Sequence, residues 1–575
     1  MMRTRLALAF IASVSHVCTA ASAAETIDAV ADAYVDVRLS RDPMSGIASG
    51  LVDPGAALLP DRSPEALARF DAREDAIAHR LEKIDPASLS MPVQRARYET
   101  LRELIEAEKG LRICRRAYWN VSHMQGWQIG LAAFAASQPV ATGAQRAHAL
   151  TMWAGLPRFV DIEIANLREG LGRGYSVPRP VVERVLQQLD KALSAPADQA
   201  VLLSPAARAS DATFASALRA QYDGATRPAL VRYRDFLRSE YLPKARETLG
   251  LSALPDGRAC YEAHLRAYTT LDRDAQGVFE LGRKTVAANM AEVAQIGRDR
   301  LGATDFADTI RKTNAAGDNR FASEGDLLSF LRSAVARGRE KSARLFAAPV
   351  DQAITVEPLP TFQRGSGIPS HYQPSPDPGT PATYRAASEQ WAQTSRGDAE
   401  VTAMHEAAPG HHLQTVLARR LATPDRLSRI AGNAAYFEGW GRYGEALAEE
   451  ADAYVTPYAR VARRVWPGRG MVADPGLHVF GWTRAEAVAL IVESGRFGPA
   501  EADAMVDRIA AMPGQMTAYD SGALEIVALR REAERVLGSR FDLQRFHGQV
   551  LDGGAVPLAL LRTRVMHWIK QEATR

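Results

Sequence analysis

Charge of one sign, cysteine and long apolar runs are all scarce in this 575-residue chain, and each shortage removes a class of function. Lys and Arg total 70 against 67 Asp and Glu, a formal net charge of +3. A nucleic-acid binder needs a concentrated basic surface, so this balance argues against that partner. Short basic runs at Ala418-Arg419-Arg420 and Arg463-Arg464 read most simply as solvated helix faces, though either could border a cleft. Beyond the first two dozen residues no apolar stretch approaches the ~20 residues that span a bilayer. There is no Gly-rich phosphate loop after a strand, no Gly-x-Ser-x-Gly elbow and no repeat of fixed period, which removes the phosphate-loop and serine-hydrolase readings.

The chain start reads as a secretory signal peptide. Arg3 and Arg5 precede a mostly apolar stretch to about Thr19, and Ala21-Ser22-Ala23 is a small-residue cleavage pattern. Cleavage is expected after Ala23, with Ala24 as the next choice. Ser15-His16-Val17 ahead of Cys18 does not fit a lipid-attachment site. A periplasmic or secreted protein is expected. Losing Arg3 and Arg5 takes two charges from +3 and leaves the mature chain at +1. It keeps two cysteines, Cys114 and Cys260, which an oxidising compartment would allow to pair; whether they meet is a matter of geometry that sequence does not hold.

Histidine is also scarce, 12 in all, yet three fall within eight residues: His405-Glu406-Ala407-Ala408-Pro409-Gly410-His411-His412. A hydrolytic zinc takes three protein ligands and a water, with a carboxylate nearby to receive the water's proton. In the usual helical arrangement the histidines stand at i and i+4. Here i+4 is Pro409, which removes the hydrogen bond to the His405 carbonyl, so the helix must break or bulge. Ala-Ala-Pro-Gly then reads as a spacer widened by two residues, with His411 as the partner of His405. His412 is the competing choice; on an unbroken helix it would stand about 10.5 Å from His405 along the axis, too far for relaxed chelation.

The second feature begins 26 residues after His411, at Phe437-Glu438-Gly439-Trp440-Gly441-Arg442-Tyr443-Gly444-Glu445. A third ligand on a helix packed against the first suits this spacing, and Glu438 fits. Glu445, seven residues on, lies on the same helical face and suits a partner that orients an imidazole.

Helix signals dominate elsewhere. Ser63 followed by Pro64 and Glu65 reads as a cap opening a helix to Lys83. Helices are also expected over 93–108, after a cap at Asp272 with Phe279, Leu281, Val286 and Met290 as its apolar face, over 326–345 and over 499–511. Between Pro349 and Tyr384 the chain turns Pro- and Gly-rich around Ile354-Thr355-Val356-Glu357 and Ala382-Thr383-Tyr384-Arg385, which reads as short strands and loops. Such a segment could offer a peptide an edge strand, with His371, Tyr372 and Tyr384 facing the cleft. The expected architecture is mainly α: a large helical body with a deep cleft and a short β segment before the metal-binding helix. It divides into a leader (1–23), a helical N-terminal region (24–345) and a metal-binding catalytic region (346–575).

With Asp474-Pro475-Gly476-Leu477-His478, Gly481-Trp482-Thr483 and Pro513-Gly514-Gln515-Met516-Thr517-Ala518-Tyr519 added to these motifs, the chain resembles the bacterial family catalogued as domain of unknown function 885. The likeness in motifs spans about residues 360 to 535. It implies a zincin-like, helical, zinc-dependent hydrolase similar in style to angiotensin-converting enzyme and thimet oligopeptidase, and supports His405, Glu406, His411 and Glu438. The chain departs from the pattern at Asp520, where the family commonly has lysine, at Ala523, where it has glutamine, and at Gly470, where arginine is frequent. Those departures bear on substrate preference.

The expectation for function is hydrolysis of a peptide or other small amide substrate, with one zinc, or another divalent transition metal, on His405, His411 and Glu438. Glu406 is the base, and Tyr519, read as lying in a loop, stabilises the oxyanion, a role His478 could share. An Asp474–His478 metal pair is disfavoured by the Pro-Gly between them. The alternative is a non-catalytic periplasmic metal- or ligand-binding protein on the same scaffold. Specificity and oligomeric state are not legible.

Overall fold

The computed structural model describes residues 25–574, apart from 57, 197–198, 361–363, 365–367, 376, 378 and 421–424. The expected leader and cleavage site and Cys18 therefore lie outside the described residues. The protein is mainly helical, 72% helix and 3% strand, and no helix among the described residues is long and apolar enough to cross a membrane.

Local signals set many helix starts. The Ser63 hydroxyl accepts from the Ala66 N–H and Pro64 occupies the first turn of Pro64–Glu82. The helix expected after Asp272 starts two residues later, as Ala275–Leu301, with Asp274 as its cap. Its buried seam is Ala275, Val278, Gly282, Val293 and Gly297 rather than the larger residues anticipated. Small residues win there because a neighbouring helix approaches closely: a Cβ on Gly282 would lie 2.7 Å from Met471.

Seven helices of the C-terminal half carry the site: α1 (Glu324–Ser342), α2 (Arg396–Glu406), α3 (His411–Arg419), α4 (Ala434–Glu450), α5 (Arg469–His478), α6 (Pro499–Ala511) and α7 (Gln515–Leu537). Between α1 and α2 lie β1 (Ile354–Pro358), β2 (His371–Gln373) and β3 (Ala382–Ala386). Their order is β1-β3-β2, with β1 parallel and β2 antiparallel to β3, pairing Val356 and Tyr372 with Tyr384.

Three apolar cores position these elements. The largest joins Trp119, Trp153 and Tyr233 to Met471, Ile509 and Met516, so packing crosses the 345/346 boundary. Another lies under α4 and α7, around Trp440, Tyr443, Ile526 and Phe546. A third packs α1 and α2 on the sheet through Leu331, Met404, Val356 and Tyr384. Each large side chain so buried contributes about 1.5–3 kcal/mol before conformational entropy is set against it. Cys114 and Cys260 do meet, in a disulfide spanning 146 residues with Cα atoms 4.8 Å apart.

Pro475 was expected to interrupt regular structure, yet it sits inside α5. All ten residues of α5 are buried, and that packing offsets the cost of a proline in a helix, about 3 kcal/mol or more.

Candidate metal centre

Helix α2 ends at Glu406 and α3 begins at His411, so the chain breaks at Pro409 as its chemistry requires. The break is held from two sides. The Gly410 N–H donates to Met404 O at 3.0 Å, and the Trp440 indole N–H of α4 donates to Pro409 O at 2.9 Å. Only glycine fits at 410, where a Cβ would lie 1.9 Å from His405 O.

The turn carries His411 back to His405, with ring centroids 4.6 Å apart and nearly perpendicular. Glu438 of α4 meets both: its Oε2 is 3.3 Å from His405 Nε2 and 3.6 Å from His411 Nε2. One donor atom from each of His405, His411 and Glu438 lies within 4.8 Å of the others. Ligands at about 2.0–2.1 Å from a tetrahedral zinc stand about 3.3 Å from one another, so the two shorter separations match the edge of such a site and the donors fit the ion. His412 turns away, one ring nitrogen 3.0 Å from Gln352 O and the other 3.3 Å from the Tyr372 hydroxyl.

Helix α4 explains its own motif. Glu438, Gly441 and Glu445 share one face, and the His405 ring lies across it. A Cβ on Gly441 would stand 2.5 Å from His405 Cε1. Beyond the glycine, Glu445 Oε1 accepts from His405 Nδ1 at 2.9 Å, and Arg442 donates to the same carboxylate at 3.0 and 3.2 Å. Glu445 thus fixes the ring so that Nε2 faces Glu438, as carboxylates behind metal-ligating imidazoles do. Arg442 and Gly441 carry no chemical signature and were not singled out from sequence; their i+3 spacing to Glu445 and Glu438 was the available signal.

The electrostatics favour a cation here. Burial works to lower the His405 pKa, but hydrogen bonds to Glu438 and Glu445 outweigh it and lift the group to about 10. Glu438, although burial opposes it, is held far below the usual carboxylate range by His405 and His411. Glu406 moves the other way: burial raises it, against the pull of His405 and His411. Its Oε2 accepts the Tyr372 N–H at 2.8 Å. The outward amide of edge strand β2, which an added peptide strand would seek, is therefore already used.

These groups line a cleft of about 740 Å³, within the usual range for ligand sites. His371, Tyr372 and Tyr384 line it as expected, and so does Tyr519. Tyr519 belongs to α7 rather than to a loop, with Arg508 and Gln515 each donating to its hydroxyl at 3.3 Å. His478 is not brought to the cleft. It is fully buried in α5, accepts from Leu251 N–H at 3.2 Å, donates to Ile509 O at 3.0 Å and stacks on Tyr261. Burial lowers it to about 3. Its role is structural, as is that of Asp474, whose carboxylate accepts from Gly514 N–H, Met516 N–H and the Tyr261 hydroxyl and so caps α7.

Two of the departures from the resembled family, Asp520 and Gly470, are buried and absent from the cleft lining. Asp520 is buried, accepts from Gly468 N–H at 2.7 Å and lies 3.8 Å from Arg442. Gly470 packs on Met516. A second cluster, Cys114, Cys260 and His264, has suitable atoms for a metal, but its sulfurs are spent in the disulfide.

Fold and site together define a mainly helical protein whose cleft holds a histidine–carboxylate cluster suited to a divalent cation. The family described as "Bacterial protein of unknown function (DUF885)" matches residues 43–565, and the chain belongs to it. Two solved structures are similar. One, described as a putative lipoprotein from Colwellia psychrerythraea, has a TM-score of 0.86 at 20% identity, covering 95% of this chain and 100% of that one. The other, a putative lipoprotein of unknown function from Shewanella oneidensis, has a TM-score of 0.77 at 18% identity, covering 94% and 100%. At these identities the likeness is one of fold. No curated protein matches.

Proposed function

We propose that this protein is an exported, metal-dependent hydrolase of amide bonds, with short peptides as its substrates. The observation that carries the reading is the convergence of His405, His411 and Glu438 from three helices, with Glu406 beside them on the wall of an open cleft. His405, His411 and Glu438 would hold a zinc, which when bound would supply a Lewis acid and lower the pKa of water to about 7; cobalt and manganese suit the same donors.

The chain's own residues do the rest. Glu406, oriented by the Tyr372 N–H, accepts the proton of the attacking water and passes it to the leaving amine. The Tyr519 hydroxyl, which accepts from Arg508 and Gln515 and so keeps its own proton free, donates to the oxyanion. Glu445 and Arg442 keep the His405 ring in place. Export agrees with the leader expected from the sequence, with the Cys114–Cys260 disulfide and with the lipoprotein descriptions of the two similar structures.

The test is hydrolysis of a set of quenched peptides by the purified protein, with and without chelator. Cleavage should vanish with chelator, return with zinc, and fall about 10²–10⁴-fold in Glu406→Gln. Cleavage indifferent to chelator, or intact in Glu406→Gln, sinks the reading.

A further inference from the structure

Four arginines line the cleft, Arg419, Arg442, Arg496 and Arg508, and two of them are neutralised. Arg442 is bound by Glu445 at 3.0 Å, and Arg496 lies 3.2 Å from Asp398. Arg508 of α6 differs. Its Nη2 donates to Gln515 Oε1 at 3.1 Å and to the Tyr519 hydroxyl at 3.3 Å, both uncharged. Its Nε is buried with no hydrogen-bond partner, and no carboxylate pairs with it among the described residues. A guanidinium stays charged at any physiological pH, and this one, half-buried with its Nε out of water, gains most from an anion at its open side. Its planar fork matches a carboxylate in two parallel hydrogen bonds.

The surroundings narrow the ligand. Trp466, Phe497, Met505 and Met516 line the same cleft as apolar groups of the large core or packed on it, with the Trp466 and Phe497 rings 5.0 Å apart. Arg419 also lines the cleft without an ion pair among the described residues, but of the two it is Arg508 that hydrogen-bonds Tyr519; one such cation beside these apolar groups calls for a monoanion attached to an apolar body, not a phosphate. We propose that Arg508 docks the C-terminal carboxylate of a peptide, with an apolar side chain against Trp466 and Phe497. As a statement about substrate this rests on the hydrolase reading. Because Arg508 touches Tyr519, the bond presented for cleavage lies near the carboxyl end of the peptide, and the substrate class is short peptides with a free C-terminus.

The test is calorimetric titration of the zinc-supplied full chain with N-acetylphenylalanine, its amide, and the α-amide of N-acetylaspartate. Wild type should prefer the free acid over the amide about tenfold or more, as a charge-assisted pair requires. Arg508→Gln should erase the preference and Arg508→Lys keep part of it, each folded by circular dichroism. Arg419→Gln, which removes another cleft arginine with no ion pair, should keep it. His405→Ala should keep it too, even if the metal and the hydrolase reading fail, because the carboxylate is held by Arg508. The proposal is overturned if wild type shows no preference, if Arg508→Gln retains it, or if His405→Ala or Arg419→Gln abolishes it. Equal binding of the aspartate amide overturns the assignment to a chain terminus in favour of an acidic side chain.

Discussion

The imidazole of His405 rests on the bare backbone of Gly441, whose missing side chain would stand 2.5 Å from Cε1 of the ring. This contact ties α2 to α4 and lets one ring reach Glu438 with one nitrogen and Glu445 with the other. Gly441→Ala should therefore displace the ring while leaving the helix intact, since alanine is favoured over glycine in a helix by about 1 kcal/mol. The expected variant is as thermally stable as the metal-free wild type but binds zinc at least tenfold more weakly, as read by a competing chelator. Unchanged zinc affinity would remove Gly441 from the account.

Glu445→Gln and Arg442→Met act one step behind the metal. Partners of this kind typically change metal affinity 10–100-fold, so both variants should weaken zinc by that order. Activity should return when zinc is supplied in excess. A Glu445→Gln protein with wild-type affinity would show that the hydrogen bond to Nδ1 is not what orients the ring.

The disulfide closes a loop of 146 residues. On the loop-entropy account such a link stabilises by roughly 5 kcal/mol at most, and measured values more often run at 2–4. Replacing Cys114 and Cys260 together by serine should lower the denaturant midpoint accordingly while leaving zinc content unchanged, because neither residue approaches the cleft.

His478 offers a pH test. Buried and neutral in the native state, with its pKa lowered to about 3, it titrates near 6.5 when the chain unfolds. Above pH 6.5 neither state binds the proton and its contribution is complete. As pH falls below 6.5 the unfolded chain alone takes up the proton, and stability drops by up to about 1.4 kcal/mol per pH unit from this residue. The gap in stability between wild type and His478→Gln should be widest near pH 7 and shrink by pH 5. A constant gap would contradict the buried, neutral assignment.

The cluster of His405, His411, Glu438 and Glu445 was legible because metal chemistry restricts residue types and because Pro409 has only one effect on a helix. The short sheet was legible from its β-branched and aromatic runs between prolines. His478 misled for a physical reason: the same ring that can ligate or donate in a cleft can also satisfy Leu251 and Ile509 in a core, and only the packing of α5 decides. Helix α5 itself was hidden because its proline is tolerated by burial, a tertiary effect. Gly441, Arg442 and Arg508 were missed for a related reason. A glycine that seats a ring and an arginine that lacks a counter-ion are defined by neighbours distant in sequence.

The central claim is a metal on His405, His411 and Glu438. Elemental analysis of the purified protein, with His405→Ala, His411→Ala, His412→Ala and Glu438→Gln in parallel, tests it most directly. The account predicts about one zinc per chain, lost in the His405, His411 and Glu438 variants and kept in His412→Ala. No metal in the wild type even after zinc is supplied, or loss with His412 and not with His411, would contradict it.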